Sequence, residues 1–262
     1  MRYAFLDSPV PIAFAHRGGA RPGLENVASL FADVQRLGYR YVETDVRTTA
    51  DGVPVVFHDE DVSRLTGTSA RIGDLTYADV RRLQVGEEQI EPLAAVLDAF
   101  PDLRFNIDLK DEGSVEGVPA VLARTGARER VCVASFSERR LRRARRALGP
   151  EVCTSLGTGG VGLFLLHALA RTGRSRQGAA ALQVPWLLPG GRTLPASFVR
   201  LAHREGLAVH VWTVDDRAAI NAALDLGVDG VMTDEPAVLR EELVRRGLWA
   251  GGGEGRASGG HP

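Results

Sequence analysis

Short apolar runs alternate with longer amphipathic stretches along most of the chain. Strand-like runs lie at Ile12–His16, Tyr41–Val46, Leu103–Leu109, Val131–Ser135, Val152–Leu156, Ala181–Val184, Ala208–Val214 and Gly230–Thr233. Helical periodicity appears near Glu25–Leu37, Tyr77–Leu83, Leu93–Phe100, Ser137–Leu148, Pro195–Glu205 and Asp216–Leu226. Alternation of β and α at this spacing predicts a parallel sheet with right-handed crossovers. Eight such strands predict an α/β fold of the TIM (β/α)8 barrel type. An open doubly wound sheet is the alternative, but no G-x-G-x-x-G follows any strand.

A ninth run, Val53–His58, follows Tyr41–Val46 too closely for a crossover helix. Asp51-Gly52 between them is a type I′ hairpin signal. A two-residue loop there sets Asp45 opposite His58, with Pro54 at an unbonded edge position.

With 262 residues, 44% hydrophobic and 25% charged, the chain can bury a full core as one barrel domain, residues 1–248. The Gly-rich stretch 249–262 reads as a disordered tail. Thirty-two basic against 33 acidic residues give a net charge of -1, so no nucleic-acid partner is expected. The N-terminus lacks an apolar signal-peptide core of about 7–15 residues. Val161–Ala170 is too short for a bilayer core of about 30 Å. A soluble, cytoplasmic protein without stable membrane insertion is expected. Cys132 and Cys153 lie in apolar runs and read as buried thiols. Lys110 is the single lysine in an otherwise arginine-only basic set. A site that needs a compact ammonium rather than a planar fork would explain that exception.

Polar residues at the C-terminal ends of barrel strands mark the functional face. His16, Arg17, Glu43, Asp45, His58, Asp108 and Lys110 all fall there. Side chains two apart share one face of a strand, so Glu43 points with Asp45, Asp108 with Lys110, and His210 with Trp212. Carboxylates converging at one mouth repel unless a cation stands between them, and oxygen ligands select Mg2+ or Ca2+. A salt-bridge network with Arg17 and Arg47 is the alternative. His16 and His58 are the acid–base candidates. Arg17 and Lys110 offer charge to an anion, beside a Gly18-Gly19 turn. Glu25-Asn26 reads either as the cap of the first helix or as support behind Arg17. Trp212 reads as an apolar substrate wall or as core. Asn106 and Ser135 are weaker candidates. Together these groups suggest phosphate-ester chemistry.

The runs AHRGGARPGLENVASL, YVETDVRTTADGVPVVFHDEDVSRLTG, FNIDLK, VASF, VHVWTVDD and GVDGVMTDEP resemble the glycerophosphodiester phosphodiesterases, in the expected order from about Ile12 to Glu242. The resemblance implies a TIM barrel that hydrolyses deacylated phospholipids, a small-molecule substrate, to an alcohol and sn-glycerol 3-phosphate. It implies one divalent cation, Mg2+ or Ca2+, on Glu43, Asp45 and Asp108. It implies His16 and His58 as the acid–base pair, Arg17 and Lys110 on phosphate, and Trp212 as a wall. In such a mechanism the glycerol 2-hydroxyl attacks phosphorus and water opens the resulting cyclic phosphate. The family's third carboxylate is usually Glu; here it is Asp108, one methylene shorter. Pro22-Gly23-Leu24 displaces the usual proline before Glu-Asn, and the insertion near Glu60–Gln89 is short. A related possibility is a phospholipase-D-like barrel acting on lysophospholipids or sphingolipids. It would need an exposed apolar rim, for which Leu163–Leu166 and Trp186–Leu188 are candidates, unless those residues only pack inward.

Overall fold

The computed structural model describes residues 3–170 and 178–251. Eight parallel strands close into a barrel: β1 (Ile12–Ala15), β2 (Tyr41–Thr48), β4 (Arg104–Leu109), β5 (Val131–Ala134), β6 (Cys153–Leu156), β7 (Ala181–Pro185), β8 (Ala208–Trp212) and β9 (Gly230–Thr233). Closure comes from β1, which pairs with β9 at Ile12↔Gly230 and with β2 at Phe14↔Tyr41. The short β3 (Pro54–Val56) runs antiparallel to β2 and stays outside the barrel. Helices follow the barrel strands: α1 (Ala28–Arg36), α2 (Leu93–Ala99), α3 (Ser114–Thr125), α4 (Glu138–Leu148), α5 (Thr158–Ala170), α6 (Ala196–Arg204), α7 (Arg217–Asp225) and α8 (Pro236–Arg245). Ser137 and Asp216 cap α4 and α7 by accepting the amides of Arg140 and Ala219.

The two-residue period of the strands sorts the side chains. Val42, Val46, Phe105, Ile107, Leu109, Val131 and Val133 face the helices in the main core. Ile12, Phe14, Tyr41, Cys132, Cys153 and Met232 fill a second cluster, which Phe5 and Leu6 of the N-terminal segment join. Both cysteines are buried free thiols, as expected. Tyr41, Glu43 and Asp45 alternate along β2 with Val42, Thr44 and Val46, so the face that is apolar at Tyr41 becomes acidic toward the strand's C-terminal end.

Between β3 and α2 the chain makes an excursion with its own core: Val55, Phe57, Val62, Ile72, Val80, Val85 and Ile90, packed on Val27 and Leu30.

Three expectations need correction. The β2–β3 register is Val46↔Val56, Arg47↔Val55 and Thr48↔Pro54, one residue from that of a two-residue loop. The loop has three residues, Ala50–Gly52, closed by the Thr49 amide donating to the Val53 carbonyl at 3.1 Å. Gly52 takes the left-handed position (φ 82°), as in a type I turn with a bulge. Asp51 is engaged by the Thr49 hydroxyl and the Tyr77 amide, which favours this wider turn. The Phe57 amide, not that of His58, therefore donates to the Asp45 carbonyl. Second, α1 begins at Ala28, so Glu25 and Asn26 do not cap it. Third, packing continues past 248, because Trp249 lies edge-on against Tyr39 with ring centroids 5.1 Å apart. Residues 252–262, most of the expected tail, lie outside the described residues.

Candidate active site

A cavity of about 510 Å3 opens at the C-terminal ends of the strands. One half is charged, lined by His16, Arg17, Glu43, Asp45, His58, Asp108 and Lys110. The other half is apolar, with Ala134, Phe136, Leu156, Val161, Val184, Pro185 and Trp212 among its lining.

The charged half starts from a tight turn. β1 stops at Ala15 and the chain folds back through His16–Gly18, with Arg17 in the left-handed region at φ 50°. Gly18 and Gly19 are also left-handed. A Cβ on Gly19 would stand 2.8 Å from Pro236 Cγ, so the turn sits directly on α8. Asn26, left-handed at φ 58°, donates its amide to the Arg17 carbonyl at 3.0 Å. Two unusual backbone positions thus brace each other.

The side chains behind this turn form one network. Arg17 Nη1 donates to Glu25 Oε1 (3.0 Å), and Arg17 Nε lies 3.2 Å from Asp45 Oδ2. The Arg17 backbone amide donates to Glu43 Oε2 (3.2 Å). Asn26 Nδ2 donates to Asp45 Oδ2 (2.9 Å), and its carbonyl accepts the Thr44 hydroxyl (2.7 Å). Glu25-Asn26 therefore takes the supporting role rather than the capping one. Arg47 donates to the His58 carbonyl (2.8 Å), outside the cavity.

Lys110 Nζ stands 2.8 Å from Asp45 Oδ1 and 2.7 Å from Asp108 Oδ2, so the lone ammonium spans two buried carboxylates. Burial pushes the Asp45 carboxyl up, but Lys110 and Arg17 together hold it below the usual range. Asp108 is raised, mainly by burial. Glu43, buried and beside Asp45, is pushed up to about 8. Asp108 Oδ1 is buried without a hydrogen-bond partner. Among the described residues no three acidic, imidazole or thiol side chains close on one point in the manner of a metal centre.

Each catalytic candidate histidine carries a carboxylate on Nδ1. Asp234 Oδ1 is 2.7 Å from His16 Nδ1, and Asp59 Oδ1 is 2.6 Å from His58 Nδ1. That contact holds a proton on Nδ1 and leaves Nε2 for exchange. Burial draws the His16 pKa down, but Glu43 (3.7 Å from Nε2) and Asp234 outweigh it and raise it.

Sequence reasoning passed over several of these partners. Asp234 follows β9 and lies 218 positions from His16. Arg64 holds Glu25 with two bonds (2.6 and 3.1 Å) and also holds Asp59, so one guanidinium ties the Arg17 side to the His58 side. Within the expected insertion, residues 60–89 line none of the cavity; Arg64 is their link to it. Gln183 exchanges bonds with Asn106 and lies 3.3 Å from His210 Nδ1, forming a polar row beneath the mouth. Ser135 lines the cavity and donates to the Leu109 carbonyl. Phe136 meets Trp212 edge-on, centroids 5.5 Å apart, and Lys110 Nζ lies 5.6 Å from its ring centre. Its signal was an aromatic residue directly after a strand end.

The fold and site define a class: a closed (β/α)8 barrel with two histidines, three carboxylates and two cationic side chains gathered in one cavity at the C-terminal ends of its strands. Residues 16–238 match the model of the Glycerophosphoryl diester phosphodiesterase family. The chain is 40% identical to the Mycobacterium tuberculosis protein named Probable glycerophosphodiester phosphodiesterase 2, over 94% of this chain and 96% of that one. It is 28% identical to a human lysophospholipase D, over 87% and 85% of the two chains. The crystal structure of a glycerophosphodiester phosphodiesterase from Thermotoga maritima superposes with a TM-score of 0.70 at 27% identity, covering 90% of this chain and 97% of that one. The chain belongs to the glycerophosphoryl diester phosphodiesterase family, and is an enzyme of that class. No described helix is long and apolar enough to cross a membrane.

Proposed function

We propose that the enzyme hydrolyses glycerophosphodiesters to an alcohol and sn-glycerol 3-phosphate, using His16 and His58 for proton transfer and one divalent cation on Glu43, Asp45 and Asp108. The observation that carries this reading is the pairing of two imidazoles, each with a carboxylate on Nδ1, in one cavity with Arg17 and Lys110. Arg17 and Lys110 attract and orient the phosphodiester anion. One imidazole takes the proton of the attacking hydroxyl and the other gives a proton to the departing alkoxide; the roles reverse when water attacks. Asp234 and Asp59 keep both rings in the tautomer that allows this. Trp212 and Phe136 exclude water from one side of the substrate.

The three carboxylates carry the donor chemistry of a hard-cation site, though they do not close on one point here and Lys110 stands between Asp45 and Asp108. Their donors are all oxygen, Asp108 Oδ1 has no partner, and burial together with the neighbouring Asp45 pushes Glu43 up to about 8. Mg2+ or Ca2+ bound there supplies positive charge to the phosphoryl oxygens.

The test is release of glycerol 3-phosphate from glycerophosphocholine and glycerophosphoethanolamine with Mg2+, Ca2+ or excess EDTA. Release that EDTA abolishes is expected; no release with any metal overturns the reading. The apolar half of the cavity favours a second reading, lysophospholipid hydrolysis. Faster turnover of lysophosphatidylcholine than of glycerophosphocholine would establish it.

A further inference from the structure

Five large hydrophobic side chains stand exposed among the described residues: Phe136, Leu163, Leu166, Leu187 and Val244. Four of them follow three consecutive barrel strands, β5, β6 and β7. Those strands end on the side of the mouth whose cavity wall is itself apolar. Phe136 is 58% exposed, Leu166 64%, Leu187 58% and Leu163 38%. Trp186, a candidate for the same rim, is buried instead. The only ionisable side chain in α5 is His167. A helix apolar on all sides is normally enclosed. Here Phe164 is buried and Val161 lines the cavity, while Leu163 and Leu166 face outward. Exposed apolar groups gathered around one opening mark an interaction surface.

Charge indicates what meets this surface. In the described segments that follow these three strands, residues 135–140, 157–167 and 186–195, the exposed ionisable side chains are Arg139 and Arg192, and the one carboxylate, Glu138, is buried and paired with Arg145. Arg192 is the cross-strand partner of Leu188 in the ribbon that exposes Leu187. Arg139, exposed, lies three residues beyond Phe136. A second copy seated through the same face would bring Arg139 and Arg192 against their like with no exposed carboxylate of these segments to answer them. A lipid surface with anionic headgroups takes both components: the leucines enter the acyl boundary and the arginines meet phosphate.

We propose that this rim is a peripheral docking surface for anionic lipid bilayers, seating the catalytic mouth against the headgroup layer. The rim continues into the cavity through Val161, Pro185 and Trp212, so a molecule leaving the bilayer passes along apolar surface before its phosphate reaches Arg17 and Lys110. Docking is measured without turnover, so its failure and the failure of the proposed reaction are separable.

The experiment is flotation of the full chain with vesicles of phosphatidylcholine alone and of phosphatidylcholine mixed with phosphatidylglycerol. Binding to the mixed vesicles, weaker to phosphatidylcholine and weakened by salt, is the expected result. The double variant Leu166→Ser/Leu187→Ser, at positions outside the cavity lining, should lose about tenfold or more in vesicle affinity. It should hydrolyse water-soluble glycerophosphocholine at the wild-type rate. Arg192→Glu should weaken binding to the mixed vesicles alone. Wild-type protein that fails to float with the mixed vesicles at low salt overturns the proposal, as does a leucine variant that floats like wild type. A concentration-dependent dimer in sedimentation velocity that the leucine variant abolishes would assign the face to a second copy and overturn it equally.

Discussion

Asn26 carries more of this site than its position before a helix suggests, and three substitutions separate what it does. Its side chain is buried, its backbone is left-handed at φ 58°, it donates to Asp45 Oδ2 at 2.9 Å and it accepts the Thr44 hydroxyl at 2.7 Å. Asn26→Ala places a Cβ residue without local hydrogen bonds in the left-handed region, at about 1–2 kcal/mol. It also removes a bond to a charged acceptor, about 1.5–3 kcal/mol, and strands a buried hydroxyl, about 1–3 kcal/mol. The expected loss is roughly 3–6 kcal/mol, since such terms do not add fully. Asn26→Gly removes the backbone strain and loses the same bonds, at a further entropic cost of about 0.5–1 kcal/mol. It should therefore lose somewhat less than Ala. Asn26→Asp tolerates the left-handed backbone and still accepts from Thr44, but sets a second carboxylate against Asp45. Its loss should approach that of Ala while its backbone geometry stays native. Urea unfolding with unchanged m values reads all three. If Asn26→Ala lies within about 0.5 kcal/mol of wild type, or if Gly is worse than Ala, the bracing role assigned to Asn26 is wrong.

Other perturbations probe the remaining links. Burial lowers His210 to about 4 from 6.5. The unfolded chain therefore takes up the proton first as pH falls, and stability drops by about 1.4 kcal/mol per pH unit between about 6.5 and 4. His210→Asn should flatten that part of the profile of urea midpoints; an unchanged slope would refute the assignment. Arg64→Met should lower kcat about ten- to a hundredfold, because Arg17 and His58 both lose a brace, with a stability change below about 1 kcal/mol for its half-exposed ion pairs. Partial rescue by Arg64→Lys or by added guanidinium distinguishes positioning from general damage. His16→Ala and His58→Ala should each remove turnover while leaving calorimetric Mg2+ or Ca2+ binding largely intact, whereas Glu43→Gln should weaken that binding. The reverse pattern would exchange the roles proposed for these groups.

The barrel was legible because buried strands and amphipathic helices alternate at a spacing few other folds share. The i, i+2 rule likewise places Glu43 with Asp45 and Asp108 with Lys110 from the sequence alone. What sequence could not supply came from contacts distant in the chain. Asp234 meets His16 only after β9 closes on β1. The helix Ser114–Thr125 escaped notice because Gly117 and Pro119 interrupt its pattern. Packing explains the glycine: a Cβ at 117 would stand 2.7 Å from Pro54 Cγ on the hairpin. Helix propensity yielded there to contact with β3. The hairpin register was misread because Asp-Gly suits both a two-residue loop and a three-residue loop with Gly at its end. The side chains of Thr49 and Asp51 decided between them.

The charges in the cavity have a count of their own. Glu25 is answered by Arg64 and Arg17 at the back of the site. Facing the cavity, Glu43, Asp45 and Asp108 stand against Arg17 and Lys110. Fully ionised, that set is one negative charge in excess, and Glu43 relieves the excess by keeping a proton up to about 8. Glu43, Asp45 and Asp108 are the residues that would hold a divalent cation, whose charge would turn the excess to one positive. A phosphodiester monoanion would then bring the cavity to neutrality, while the phosphomonoester product, on losing its second proton, would return it to a negative excess and favour departure. Lys110 suits this cycle better than arginine would. Its single ammonium bridges Asp45 and Asp108 at hydrogen-bond distance, which a planar guanidinium could not do from the same position without spreading the two carboxylates. That bridge is a place for a compact ammonium, and it falls on the one lysine among 32 basic residues.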